Sequence, residues 1–135
     1  LRISLAVIAL LATACGDDDG GAATEIDVSM EPFLFAPAEW TIAADEEITV
    51  NLENTDTTPH DFVILQAGVT VESKSDLPEN EEELLADFVY WEERVAPRGS
   101  KTVTFTAPAA DTYQIVCTTG FHMNHGMTGT LIVEG

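Results

Sequence analysis

The sequence predicts an all-β fold, a sandwich or barrel of many short strands, over residues 25–135. Apolar and polar residues alternate in most segments after Glu25, and turn-forming segments such as NTDTTP and APRGS separate them. Helical periodicity is confined to a small part of the chain. Many short strands with few helices indicate a sandwich or barrel. The 135 residues are enough for one domain of ordinary size.

The first fourteen residues predict an export signal that is not part of this domain. Arg2 precedes an apolar run over residues 3–14, which is too short to span a bilayer but suits the apolar region of a signal peptide. The small residues 12–14, directly before Cys15, resemble a lipoprotein cleavage box. In that resemblance Cys15 becomes the lipidated first residue of the mature chain. An ordinary signal peptide cut nearby is the alternative.

Residues 15–24 predict a flexible tether between the membrane and the domain. After Cys15 the segment GDDDGGAAT has three consecutive aspartates and no apolar residue larger than alanine, so it cannot bury surface. We expect an exported domain at the periplasmic or extracellular face of the cell membrane, held there by its lipid anchor alone.

Alternating apolar residues identify the first, middle and late strands of the domain. The inward-facing residues are expected to be Ile26, Val28 and Met30, then Ile48, Val50 and Leu52, then Val103 and Phe105. The run FVIL at residues 62–65 is continuously apolar, which predicts a strand buried on both faces. A short apolar run in GTLIVEG predicts the last strand.

One segment, LPENEEELLADFVYWEERV, has helical periodicity instead. Its apolar positions are Leu84, Phe88, Trp91 and Val95, which form one stripe on a helix. Asn80 suits the N-cap, and the three glutamates after it lie where the helix dipole favours acids. We expect an acidic helix over residues 78–95, inserted between strands. Its stripe either covers the sandwich or forms a docking face for a partner.

The charge balance excludes nucleic acid as a partner. The chain has 24 Asp and Glu against five Lys and Arg, for a formal net charge of −19. Cleavage before Cys15 would remove Arg2 and make the charge one unit more negative. Binding to phosphates requires the opposite sign. The acidity indicates either solubility, as in a salty habitat, or steering towards a partner protein with a basic surface.

The segment CTTGFHMNHGMTG, at residues 117–129, gathers sulfur and imidazole groups. In the preceding strand, period two places Cys117 on the same face as Tyr113 and Ile115, with its sulfur pointing inward at the rim of the sandwich. His122 and Met127 follow at the spacing Cys-x4-His-x4-Met. If Cys15 carries lipid, Cys117 has no disulfide partner, and a metal would account for a single thiol in an exported protein.

His60 is the candidate for a further ligand. It lies between a turn and the buried strand FVIL, a junction that can reach the same rim as the loop after Cys117. Two imidazoles, one thiolate and a weak axial thioether suit copper that cycles between Cu(II) and Cu(I). Zinc tolerates cysteine and histidine but gains little from thioether sulfur.

Two segments carry a resemblance to a known family. VSMEPFLFAPAEWTIAADEEITVNLENTDTTPHDF resembles the amino-terminal half of a small blue-copper protein of the cupredoxin family, and YQIVCTTGFHMNHGMTGTLIVEG resembles its ligand loop and last strand. The loop spacing is most similar to auracyanin-like and rusticyanin-like members, since azurin and plastocyanin loops are shorter. The resemblance implies a Greek-key sandwich with one type 1 copper ion bound by His60, Cys117, His122 and Met127.

Two positions depart from the family pattern. Asp61 follows the first histidine, where an asparagine commonly ties the two ligand loops together, so a charge is expected near the copper. Gly120 and Phe121 precede the second histidine, where a Pro-Gly pair is often found. Of the remaining candidates, we expect His125 to face solvent, and we expect neither His125 nor Met123 to be a ligand.

The predicted function is single-electron transfer by a monomeric, non-enzymatic copper protein. Two histidines, a cysteine and an axial methionine leave little room for substrate, and Cys117 has no histidine neighbour to connect a second copper centre. We expect electrons to pass through His122, ringed by apolar Pro59, Phe121 and Met123, to a redox protein partner. A copper carrier or store and a metal-free interaction domain are the alternatives.

Overall fold

The computed structural model describes residues 21–135, so the predicted signal peptide, Cys15 and most of the tether lie outside it. The strands found in this range are β1 (Glu25–Glu31), β2 (Leu34–Ala36), β3 (Glu39–Ala43), β4 (Glu47–Asn54), β5 (His60–Leu65), β6 (Val89–Val95), β7 (Ser100–Thr106), β8 (Asp111–Val116) and β9 (Thr128–Glu134). One α-helix, α1 (Glu81–Asp87), and 3₁₀ turns at Lys74–Asp76 and His122–His125 complete the described elements.

The strands form two sheets. One has the order β2-β1-β4-β7 and the other the order β3-β9-β8-β5-β6. Within them β1 and β4 run parallel, as do β3 and β9, while the other pairs are antiparallel. The predicted all-β sandwich with one short acidic helix is confirmed.

The main core lies between the two sheets and is built from alternate residues of each strand. The residues that the sequence places inward are there: Ile26, Val28, Met30, Ile48, Val50, Leu52 and Phe105 are buried, and Val103 packs at the edge. Tyr113, Ile115 and Cys117 also share this core, as period two predicts for β8.

Strand β5 is buried on both faces, as its continuous apolar sequence predicts. Phe62 and Ile64 point into the main core, whereas Val63 and Leu65 belong to a second core on the outer side of the sheet. The segment between β5 and β6 covers this outer side and shields it from solvent, so the strand can be apolar on both faces.

The predicted helix over residues 78–95 is only half correct. Asn80 caps α1 by accepting a hydrogen bond from the Glu83 backbone N–H at 3.0 Å, but the helix ends at Asp87. The following residues form β6, which pairs antiparallel with β5. The run FVYWEERV contains β-branched and aromatic residues, which favour a strand, and the edge of β5 offers it hydrogen-bond partners.

Accordingly, the predicted apolar stripe is divided between two cores. Leu84 and Phe88 pack against the second core, whereas Trp91 and Val95 contact the main core from β6. A spacing of four residues is compatible with both a helix face and a strand face, so these positions alone do not distinguish the two.

The pairing of the sandwich begins slightly before the predicted domain boundary. The Ala23 backbone N–H donates to the Thr41 carbonyl at 3.0 Å, and the Thr24 carbonyl accepts from the Thr49 N–H at 2.9 Å. Between residues 21 and 135, the structure has no helix with the length and apolar character needed to cross a membrane.

Candidate metal site

Three potential metal ligands meet at one end of the sandwich. His60 is the first residue of β5, Cys117 directly follows β8, and His122 begins the 3₁₀ turn in the loop before β9. Because β5 and β8 are hydrogen-bonded neighbours, with Val63 opposite Val116, the two ends that carry His60 and Cys117 lie side by side. The sheet register therefore brings together residues 57 positions apart in the sequence.

The ligand atoms of these three side chains face one another. The Cys117 Sγ lies 3.8 Å from His60 Nδ1 and 3.6 Å from His122 Nδ1, and the two imidazole nitrogens are 3.0 Å apart. His60 and Cys117 are fully buried, whereas His122 is partly exposed. The site thus lies just below the surface, with the His122 ring between it and solvent.

Met127, the fourth candidate ligand, lies in the same loop as Cys117 and His122. Its side chain is fully buried in the main core that also contains Cys117. Its backbone closes the loop, since the Cys117 N–H donates to the Met127 carbonyl and the Met127 N–H donates to the His122 carbonyl, both at 3.2 Å. Gly126, with φ of 98°, provides the left-handed residue that this return requires.

Asp56 fixes the orientation of His60. The His60 Nε2 lies 2.9 Å from the Asp56 carboxylate, which can only accept, so Nε2 carries the proton and donates it. The Nδ1 lone pair is left facing Cys117 and His122. The hydrogen bond from His60 also lowers the pKa of the Asp56 carboxyl, so this carboxylate stays ionised.

Asp61 joins the two segments that carry the ligands. Its buried carboxylate accepts hydrogen bonds from the Thr118 backbone N–H at 2.6 Å, from the Thr118 hydroxyl, and from the Thr119 hydroxyl at 3.4 Å. It occupies the position after the first histidine and ties the strand to the loop, the role that the resemblance assigns to an asparagine.

The pKa values of the candidate ligands reflect burial. Removal from solvent, helped by the nearby Asp61 charge, raises the pKa of the Cys117 thiol to about 12. Burial, followed by the neighbouring His60, lowers the pKa of His122, which favours the neutral form of the ring.

The surface around His122 differs from the predicted rim. Phe121 is 67% exposed and Pro59 is half-buried, but Met123 is 2% exposed and packs in the second core. The expectation that Met123 rings His122 is therefore wrong. The loop turns after His122, and burying the Met123 side chain in the apolar space beneath it is more favourable than leaving it in water.

Phe33, and not Met123, contacts the ring of His122. Its ring contacts His122 edge-on at a centroid distance of 5.4 Å and lies 4.7 Å from the ring of His125. His125 faces solvent as predicted, but it is in contact with Phe33. The sequence motif Phe-x-Phe-x-Pro contains this residue, yet nothing in the motif indicates which of its two aromatic side chains reaches the loop.

The arrangement fits a transition-metal ion. The His60 Nδ1 lone pair, the His122 Nδ1 atom and the Cys117 sulfur face a common space, which is unfavourable unless a proton or a cation lies between them. Their separations suit ligand atoms that share one ion at bond lengths of about 2.0 to 2.3 Å. A set of two imidazoles and one thiolate, with a thioether buried nearby, matches the ligand preference of copper.

Sequence reasoning missed Asp56 and Lys74. Asp56 precedes His60 by four residues in a segment rich in Asp and Thr, and that proximity was the available signal. Lys74 lies 44 residues before Thr118, whose carbonyl its ammonium group contacts, and no local pattern connects the two.

Comparison with known proteins identifies the fold. A family model described as "Cupredoxin-like domain" matches residues 3–133. A solved structure of dithionite-reduced auracyanin from the photosynthetic bacterium Roseiflexus castenholzii is 32% identical, with a TM-score of 0.69 over 85% of this chain and 100% of that chain. No curated protein sequence matches the chain significantly.

More distant structures share the fold alone. Auracyanin A, a "blue" copper protein from the green thermophilic photosynthetic bacterium Chloroflexus aurantiacus, is 23% identical, with a TM-score of 0.64 over 84% of this chain and 100% of that chain. Rusticyanin from Thiobacillus ferrooxidans is 21% identical, with a TM-score of 0.58 over 84% of this chain and 79% of that chain. The resemblance seen in the two sequence segments is therefore confirmed, and the chain belongs to the cupredoxin-like domain family.

Proposed function

We propose that the chain binds one type 1 copper ion through His60, Cys117, His122 and Met127 and carries single electrons between redox partners outside the cytoplasm. The observation that carries this proposal is the convergence of two imidazole Nδ1 atoms and one buried sulfur within 3.8 Å of one another. Auracyanin A, which shares the fold, is a "blue" copper protein.

Copper held by such a set supplies a centre that is stable in two oxidation states. The residues of the chain limit how much the ligands can move between those states. His60 is held by Asp56 on one side and by a strand buried on both faces on the other. Cys117 is held by the Met127 carbonyl, and Thr118 by Asp61. Small ligand movement favours fast electron transfer.

The route for electrons is expected to run through His122. Its ring is the member of the candidate ligand set that reaches the surface. The Phe33 ring contacts it, and the exposed Phe121 precedes it in the sequence. A redox partner would dock over this end through a small, transient interface. We also propose that this partner has a basic surface, which the acidic chain would attract.

We do not assign a catalytic role to this site. The four proposed ligands fill the coordination positions that a substrate would need, and the residues on either side of Cys117 are Val116 and Thr118, which cannot connect a second copper centre.

We also propose that the protein is exported and carries a lipid on Cys15. The apolar segment over residues 3–14 and the small residues before Cys15 support cleavage and lipidation at Cys15. Mass spectrometry of the protein purified from membranes should detect a lipid on Cys15. A mature chain that starts elsewhere without lipid would contradict this part alone.

Absorption spectroscopy tests the copper site. Adding Cu(II) to the metal-free protein should produce an intense visible band from thiolate-to-copper charge transfer, which ascorbate bleaches reversibly. Cys117→Ser should abolish the band, because a hydroxyl does not replace the thiolate. As a matched pair in the same loop, His122→Gln should lose the band and His125→Gln should keep it. A band that survives Cys117→Ser would contradict the proposed ligand set.

The structure supports the copper-carrier alternative less than the sequence does. Copper carriers favour exposed clusters of methionine and histidine, but Met123 is buried and the ring of His125 is in contact with Phe33. A colourless protein that binds Cu(I) alone would nevertheless favour this alternative over electron transfer.

A further inference from the structure

The segment between β5 and β6 contains a well-anchored 3₁₀ turn, Lys74–Asp76, on the outer side of the five-stranded sheet. The Asp76 carboxylate accepts hydrogen bonds from the Glu72 and Ser73 backbone N–H groups, both at 2.9 Å. Val71 and Leu77, on either side of the turn, are buried in the second core. The side chain of Gln114 on β8 bonds to both the N–H and the carbonyl of Val71, at 2.8 Å each.

This turn holds the ligand loop at two points. The Lys74 ammonium group donates to the carbonyl of Thr118, the residue directly after Cys117. The Lys74 backbone N–H donates to the Asn124 side-chain oxygen at 2.8 Å, two residues after His122. Met123 adds an apolar contact, because it shares the second core with Val71 and Leu77.

The position of this cation is notable in a chain so poor in basic residues. Lys74 is one of four Lys and Arg residues among residues 21–135. It is half-buried and bonded to a backbone carbonyl. Immobilising a lysine side chain costs conformational entropy, so its contact must supply a compensating interaction. A hydrogen bond from a charged donor is about twice as strong as a neutral one.

We propose that Lys74 is a positioning residue for the metal centre: it clamps the ligand loop from outside the sheet, and its positive charge raises the reduction potential. This inference rests on the proposed function. The clamp keeps Thr118, and through it Cys117, in place, while the Asn124 contact holds the far side of the loop. The segment between β5 and β6 thereby takes part in the site without supplying a ligand.

The direction of the electrostatic effect follows from charge. The oxidised centre carries one more positive charge than the reduced centre, and a nearby cation therefore disfavours the oxidised form. The half-buried location of Lys74 reduces screening by salt. Removing the ammonium group should lower the reduction potential, whereas replacing lysine with arginine should preserve it.

Two measurements on full-length protein test the inference. The reduction potential of the copper-loaded protein is compared among the unsubstituted protein, Lys74→Met, Lys74→Arg and Lys101→Met. Lys101→Met makes the same change in net charge, but Lys101 pairs with Glu93, at 2.8 Å, and not with the ligand loop. Amide hydrogen exchange over residues 118–125 is measured in the metal-free forms of the same proteins.

We expect Lys74→Met to lower the reduction potential more than Lys101→Met does. Lys74→Arg should leave the reduction potential close to that of the unsubstituted protein. In metal-free Lys74→Met, exchange in the loop should be about tenfold faster, since a charged hydrogen bond is lost. Asn124→Ala should also speed exchange in the loop, although the Lys74 ammonium group stays in place. This variant therefore distinguishes the effect of the clamp from the effect of the charge. Equal potentials in Lys74→Met and Lys101→Met, together with unchanged exchange, would overturn the inference.

Two other outcomes are also decisive. In one, Lys74→Met speeds exchange but changes the reduction potential no more than Lys101→Met does. This result would overturn the electrostatic part of the inference and support the clamp. A protein that takes up no copper would overturn the proposed function, whereas the exchange experiment on the metal-free proteins would still test the clamp.

Discussion

The hydrogen bond between Asp56 and His60 determines which ring nitrogen of His60 faces the candidate site. A carboxylate behind a metal-bound histidine fixes its tautomer and makes it a stronger ligand. The Asp56 side chain is 17% exposed, so it provides a charge close to the site that is only partly screened by water.

Asp56→Asn should weaken Cu(II) binding by about 10- to 100-fold and raise the reduction potential. The amide oxygen can still accept the His60 N–H, but the negative charge that favours the more positive oxidation state is gone. Competition with a chelator and a redox titration would measure the two effects.

Asp45→Asn is the control for this charge change. Asp45 is exposed, lies in the turn between β3 and β4 at the opposite end of the sandwich, and has φ of 60°, a conformation that asparagine also tolerates. Equal shifts in the two variants would show that Asp56 acts only through net charge and not through His60.

The candidate ligands could be found from the sequence because three of them lie in one loop and because of the period-two pattern of β8. Cys117, His122 and Met127 are close in sequence, and the alternation with Tyr113 and Ile115 indicates where the sulfur points. Asp56 lies only four residues before His60, but proximity in sequence does not show that its carboxylate bonds to the imidazole. Lys74 lies 44 residues before Thr118, so its contact with the ligand loop is visible only in the folded chain.

Among the elements, the region over residues 78–95 shows where sequence patterns become ambiguous. The helix start at Asn80 is correct because a capping side chain and three acids are local signals. The helix end is not, because Trp91 and Val95 fit both a helical stripe and an inward-facing strand. Pairing of β6 with β5 decides between them, and that pairing is a long-range interaction.

The turn at Lys74–Asp76 should be sensitive to acid. Backbone hydrogen bonds from Glu72 and Ser73 lower the pKa of Asp76 below its ordinary value of 3.8. Because the folded pKa is depressed, the contribution of this carboxylate to stability is present above about pH 4 and is lost as the pH falls through the folded pKa. NMR titration of Asp76 should give a midpoint below 3.8, with the Glu72 and Ser73 amide signals moving at the same pH.

In Asp76→Asn those two amide signals should no longer titrate in this range. A midpoint for Asp76 at or above the ordinary value would show that the carboxylate does not hold the turn, and the support for Lys74 would then lie elsewhere.

For the whole molecule, the net charge of −19 should govern reaction rates with small redox reagents. An acidic surface attracts cations and repels anions, with rate effects of about tenfold to a thousandfold at low salt. The copper-loaded protein should exchange electrons faster with a cationic complex than with an anionic complex of similar potential. Stopped-flow kinetics at increasing salt would measure this.

The difference should shrink as the Debye length falls to about 10 Å at 0.1 M salt. Rates that are equal for the two reagents at low salt would indicate that the surface around His122 is locally neutral, and that the acidity of the chain serves solubility instead of partner attraction.

The parallel pairing of β1 with β4 has a consequence for how the domain is presented. Glu25 lies opposite Thr49 and Met30 opposite Asn54, so β1 runs towards the end that holds His60, and residue 21 is at the far pole. A membrane anchor at Cys15 would therefore attach the domain near the end opposite the candidate metal site. The copper-bearing end would be the part of the domain farthest from the attachment point, where diffusing proteins can reach it.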